Sequence, residues 1–175
     1  MNLKGKKVLI TGATGGIGNS LVAKFSSLGA AILATGTNEV KLENLNKKFP
    51  MIKIKKFKLN EHSKIEDFIE KAFSDLGGID VLVNNAGINE DSISLRLTED
   101  NWKKVIDLNL TSTFLMCKYA IKKMLRAKSG KIINITSIVG HTGNAGQSNY
   151  SASKAGIIGF SKSLAIEYAK KKINI

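Results

Sequence analysis

One cysteine, one proline and one tryptophan occur among 175 residues, and the scarcity of the first two already narrows the reading. A single thiol, Cys117, cannot form an internal disulfide, and its apolar helical surroundings read as a buried, inert cysteine. Nothing in the sequence suggests a metal site. Pro50 stands alone, so helices and strands run without interruption except where it closes one helix. No apolar run is long enough to cross a bilayer, and MNLKGKKVLITG passes into strand-like residues without a signal-peptide pattern. A soluble, cytoplasmic protein with no membrane partner is expected.

Acidic residues are also few, 14 against 27 Lys and Arg, which leaves a formal charge of +13. The lysines are spread over residues 4–7, 41–58, 103–131 and 170–172. No aromatic residues interleave with them as a single-strand platform requires, so nucleic acid is not the expected partner. A solvated lysine face and attraction of an acidic partner both remain open.

What the chain does have is 43% hydrophobic residues, enough for the core of one domain spanning residues 1–175 and too little chain for two. Short β-branched runs at 8–11, 32–35, 52–59, 81–84 and 132–136 alternate with helical patterns at 17–28, 39–48, 65–76, 99–127 and 150–171. That alternation predicts an α/β fold with a parallel sheet between two helical layers, and the doubly wound (Rossmann) sheet is the commonest solution. Ile173-Asn174-Ile175 reads as the opening of a sixth strand. The expectation is therefore an N-terminal part of a longer domain, truncated before its last strands, with the short edge strand a template for association.

Thr11-Gly12-Ala13-Thr14-Gly15-Gly16-Ile17-Gly18 follows the first strand and opens the first helix, where a glycine-rich loop lets backbone approach a pyrophosphate and the helix N-terminus offers free N–H groups. A tight turn without ligand is the bland alternative. After the second strand, Gly36-Thr37-Asn38 contains no carboxylate to take a ribose 2′-hydroxyl, which disfavours NAD. Thr37, Asn38 and Lys41 suit a 2′-phosphate instead, so NADP(H) is the expected cofactor. Asn85-Ala86-Gly87 ends the fourth strand at the same edge. Thr98 reads as an N-cap with Glu99 and Asp100 in the first turn. Inside that long helix Asn109 stands between Leu108 and Leu110, either as a helix-distorting amide bonded to backbone or as the holder of a water.

Ser137, Tyr150 and Lys154 carry the candidate chemistry. On a helix, Tyr150 and Lys154 leave the same face one turn apart. A free phenol titrates near ~10, and a cation within about 4–6 Å lowers that by roughly 1–3, which makes a usable general acid. The pair also arises by chance in a lysine-rich chain, and its meaning depends on the other segments.

In their order and placement, TGATGGIG, NNAG, Asn109, Ser137 and YSASK resemble the short-chain dehydrogenase/reductase family, over residues 4–175. GNAGQSNY and KAGIIGFSKSLAIEYA are most similar to its 3-oxoacyl-[acyl-carrier-protein] reductases of bacterial fatty-acid synthesis. The resemblance implies that Tyr150 protonates the ketone oxygen while hydride arrives from NADPH, and that Ser137 hydrogen-bonds the same oxygen. It implies that Lys154 holds the nicotinamide ribose, and that Asn109 holds a water behind it. It implies further that Leu59 lies at the adenine, that Lys128 and Lys171 meet acyl carrier protein beside the entrance, and that the protein is a homo-oligomer, dimer or tetramer, joined through helices rich in small residues such as Ala155, Gly156 and Gly159. Two positions depart from the family: Gly15 replaces a basic residue, and Lys58 stands where an acidic or amide residue meets adenine. Another alcohol or ketone as substrate, and a silent dinucleotide-binding protein, are the alternative functions.

Overall fold

The structure, a computed structural model, describes residues 3–175. Its centre is a six-stranded, all-parallel sheet in the order β3-β2-β1-β4-β5-β6. The strands are β1 (Lys7–Ile10), β2 (Ala31–Gly36), β3 (Lys53–Lys56), β4 (Val81–Asn84), β5 (Gly130–Asn134) and β6 (Ile173–Asn174). Period-two alternation divides their side chains between two layers. Val8, Ile10, Ile32, Ala34, Val81 and Val83 face the helices α1 (Gly16–Ser27) and α2 (Glu39–Lys48). Leu9, Leu33, Leu82 and Ile132 face the other way, against α3 (Ile65–Leu76) and α5 (Ser112–Ala127), with Phe160 and Leu164 of α7 (Ser148–Tyr168) beside them.

Local chemistry explains the element boundaries. In α3 the buried residues Ile65, Phe68, Ile69 and Ala72 fall on one helical stripe, and Gly77 ends it in the left-handed region at φ 68°. Asn38 caps α2 by accepting from the Lys41 N–H at 2.9 Å, and Thr98 caps α4 (Glu99–Val105) by accepting from Asn101 at 3.2 Å. The third strand is shorter than residues 52–59 predict. It pairs on one side only, and after Lys56 the chain leaves the sheet edge to bring Phe57 and Leu59 to a cleft at the carboxyl ends of the strands.

The long helix expected over 99–127 is three pieces: α4, a π-helical segment Ile106–Thr111, and α5. A one-turn helix, α6 (Val139–Thr142), was not predicted. Gly156 is occupied within the chain, since a Cβ there would stand 2.8 Å from Leu110. Ala155 and Gly159 remain exposed on α7, on the face that carries Ile166. Among the described residues no helix is long and apolar enough to cross a membrane, and no group of three potential metal ligands occurs.

Candidate active site

The strand order reverses between β1 and β4, so the loops after these two strands diverge and leave a crevice at the carboxyl edge. One buried hydroxyl fixes its floor. Thr11 Oγ1 accepts from the N–H of Asn85 at 3.0 Å and of Ala86 at 3.1 Å, and Asn85 Nδ2 donates back to the carbonyls of Thr11 and Gly12. The approach is too close for side chains. A Cβ on Gly12 would meet Ala86 Cα at 2.7 Å, and one on Gly18 would meet the Gly12 oxygen at 2.2 Å.

Above this floor lies a cleft of about 430 Å³, lined by the glycine loop, Thr37, Phe57, Leu59, Ala86 and Leu108. Gly15 caps α1 without a side-chain hydrogen bond, so the first-turn N–H groups of Gly16, Ile17 and Gly18 lack helical partners at a positive dipole end. The arrangement fits a dinucleotide pyrophosphate. Ala13 differs from its neighbours: it is fully buried, and its N–H bonds the Thr35 carbonyl at 3.0 Å. It anchors the loop to β2 and does not line the cleft.

A second cavity of about 450 Å³ shares Ile17, Asn85, Gly87 and Ile88 with the first and is lined by Ser137, Gln147, Tyr150 and Lys154. The two form one continuous groove. Lys154 is 4% exposed; its Nζ donates to the Ile135 carbonyl at 2.9 Å and lies 5.5 Å from the centre of the Tyr150 ring. Burial lowers its pKa from the ordinary lysine value. The Val139 N–H reaches Ser137 Oγ at 3.4 Å, which leaves the hydroxyl hydrogen free for a ligand.

Asn109 is fully buried in the π-helical segment. Its Oδ1 accepts from the Ile88 N–H at 2.9 Å, while Nδ2 donates to the Ile88 carbonyl at 2.8 Å and to Ser153 Oγ at 3.1 Å. The amide in a distorted helix, one of the two sequence readings, is thus observed. It also stands beside the lysine: a Cβ on Gly87 would meet Asn109 Oδ1 at 3.4 Å and Lys154 Nζ at 3.6 Å.

Three contributors escaped sequence reasoning. In the sequence Thr11 signals only the opening of the loop. Asn149, fully buried, accepts from the Tyr150 N–H at 2.7 Å and donates to the Glu90 carbonyl at 3.0 Å. Ser153 Oγ donates to the Tyr150 carbonyl at 2.7 Å. A polar residue beside each named one was the available signal.

Lys128 and Lys171 correct an expectation. Both are exposed, but they precede β5 and β6, whereas Ser137 follows β5. In a parallel sheet that separates them from the cleft by a strand length, roughly 15 Å. They do not flank the entrance of their own chain's active site.

A glycine-rich crevice at the strand-order reversal, joined to a serine, a tyrosine and a buried lysine, defines a nicotinamide-dependent oxidoreductase. The model of the family described as short chain dehydrogenase matches residues 6–175, and the chain belongs to that family. It is 44% identical over 174 residues to the Nodulation protein G of Rhizobium sp. (strain N33), covering 99% of this chain and 71% of the relative. To the 3-oxoacyl-[acyl-carrier-protein] reductase FabG of Aquifex aeolicus (strain VF5) it is 42% identical over 181 residues, covering 99% and 72%. The same-named protein of Chlamydia pneumoniae is 41% identical over 179 residues, covering 100% and 72%.

Proposed function

We propose that this chain reduces 3-oxoacyl-[acyl-carrier-protein] to 3-hydroxyacyl-[acyl-carrier-protein] with NADPH, in the cytoplasmic synthesis of fatty acids. The observation that carries the reading is the continuous groove from the glycine loop to Ser137, Tyr150 and Lys154. Its support in substrate comes from the FabG relatives, matched over nearly the whole of this chain.

When bound, NADPH supplies a hydride to the ketone carbon. The Tyr150 hydroxyl delivers the matching proton to the ketone oxygen, so hydride and proton together make the alcohol. Ser137 donates its free hydrogen to the same oxygen as negative charge builds there. Lys154 spends one of its three donors on Ile135 and keeps two for the ribose hydroxyls. Asn109, behind it, uses its side chain to hold Ile88 and Ser153 in place, and keeps one Oδ1 lone pair for a water. Gly12, Gly15, Gly16, Ile17 and Gly18 take the pyrophosphate, with Leu59 toward the adenine.

The choice of NADPH over NADH is supported by Thr37, by the unused Asn38 amide hydrogens and by Lys41, which with Thr14 lines an adjoining cleft of about 250 Å³. Acyl carrier protein is acidic, and the excess of lysine favours its approach. Since Lys128 and Lys171 lie on the far edge of the sheet, their contact with the carrier serves the groove of a neighbouring copy in a homo-oligomer. The exposed Ala155, Gly159 and Ile166 face supplies a surface for that assembly.

Oxidation of NADPH with acetoacetyl thioester, on acyl carrier protein and on coenzyme A, tests the reading. Tyr150→Phe is expected to lower turnover by about 10²–10⁴ with NADPH affinity retained. Lys128→Glu with Lys171→Glu is expected to lower kcat/KM for the carrier-bound substrate alone. Reduction of a free ketone or sugar in preference to both thioesters would overturn the substrate assignment.

A further inference from the structure

A π-helical turn widens the spacing of its backbone hydrogen bonds and depends on outside support. Between Ile106 and Thr111, three successive carbonyls are each taken by a side chain. Ser112 Oγ bonds the Leu108 oxygen, Thr113 Oγ1 bonds the Asn109 oxygen at 2.6 Å, and His62 Nε2 meets the Asp107 oxygen at 3.1 Å. The first two donors belong to the next turn of the same helix. His62 comes from elsewhere, the 3₁₀ turn His62–Lys64 after β3.

A carbonyl can only accept, so His62 Nε2 carries the hydrogen, in the Nε2–H tautomer or as imidazolium. The contact joins two walls of one cleft. Phe57 and Leu59, just before the histidine, line the dinucleotide groove from one side, and Leu108, next to Asp107, lines it from the other. From the π-helical turn the connection runs on through Asn109 to Ser153 Oγ, and from Ser153 to the Tyr150 carbonyl.

We infer that His62 is a positioning residue, fastening the loop after β3 to the π-helical turn so that the dinucleotide groove keeps its width and Asn109 its orientation. Its effect on turnover rests on the reductase reading above; its effect on the turn does not. His62 reaches the reaction only through Asp107 and Asn109.

The test compares His62→Leu, which offers no donor, with His62→Gln, which keeps an N–H to present. Hydrogen exchange is followed by residue, together with NADPH affinity and the thioester kinetics. One hydrogen bond corresponds to about a threefold to tenfold change. His62→Leu is expected to speed exchange by that factor at Ile88 and at residues 109–113 while β1 and β4 stay unchanged. It should weaken NADPH by a similar factor and lower kcat with little change in the thioester KM. His62→Gln should restore all of these. Wild-type exchange and NADPH affinity in His62→Leu would overturn the inference, as would a uniform rise in exchange that His62→Gln does not reverse. If the wild-type chain binds NADPH and leaves the thioester unreduced, the reductase reading fails while exchange and affinity still decide the role of His62.

Discussion

Replacing Gly18 by alanine is the sharpest probe of the phosphate loop. Its Cβ would fall 2.2 Å from the Gly12 oxygen and 2.7 Å from Ala13 Cα, the first more than an ångström inside ordinary contact. Neither neighbour can withdraw. Gly12 is itself pressed against Ala86, where a Cβ would stand at 2.7 Å, and Ala13 is held by Thr35 at 3.0 Å. The start of α1 must therefore retreat by about an ångström, taking with it the first-turn N–H groups proposed to hold the pyrophosphate. Overpacking of this kind costs ~1–3 kcal/mol, and the same displacement should weaken NADPH at least about tenfold, the equivalent of ~1.4 kcal/mol. Gly16→Ala is the internal control for packing, since nothing outside its own helical turn and chain neighbours lies within 4 Å of its Cβ and alanine favours a helix over glycine by roughly 0.5–1 kcal/mol. Urea unfolding followed by circular dichroism, with an NADPH titration on each variant, measures both quantities. Unfolding free energy and NADPH affinity in Gly18→Ala equal to wild type would refute the close approach on which the argument depends.

Three further outcomes follow from the same geometry. Gly15 has an ordinary backbone φ of −80° and the nearest atom to its Cβ is 3.6 Å away, so Gly15→Arg should fold as wild type and raise the preference for NADPH over NADH, read as the ratio of their KM values. Burial lowers the Lys154 pKa, so the folded chain releases this proton below the unfolded value of about 10.4. In that window the unfolded chain binds more protons and stability rises with pH; the wild type should gain on Lys154→Met in chemical unfolding as pH rises toward about 10.4, and a flat or falling difference would contradict the burial. Desolvation pushes the Cys117 thiol up to about 12, so iodoacetamide should label it only as fast as the protein unfolds, with mass spectrometry as the readout.

Elements with strong local patterns were legible from the chain. The helical pattern of α3 gave residues 65–76 and the run closed by Pro50 gave 39–48, both as observed. The β-branched runs gave the strands, because buried parallel strands carry little else. The π-helical segment was not legible, since its composition differs little from that of an α-helix. Its only traces are the hydroxyl pair Ser112–Thr113 and Asn109, and the contacts that give the segment meaning, Asn109 with Ile88 and Asp107 with His62, each join residues more than 20 apart. At the site, Tyr150 and Lys154 were legible because one helix carries both. The misplaced lysines show the converse: Lys128 is close to Ser137 in sequence, but one strand carries the chain between them to the opposite edge.

The Thr11 hydroxyl that receives Asn85 joins residues 74 apart in the chain. Closing such a loop costs about 4 kcal/mol of chain entropy on the logarithmic scaling, before any constant, and the contact cannot form until β4 has docked beside β1. During synthesis, the glycine loop emerges early yet stays unsupported until the fourth strand has left the ribosome and found its place. Recognition of the dinucleotide is thus a late event in folding. Because a ligand that binds only the native state stabilises it by mass action, the cellular pool of cofactor would act on this chain as a selective stabiliser of molecules whose two halves have already met.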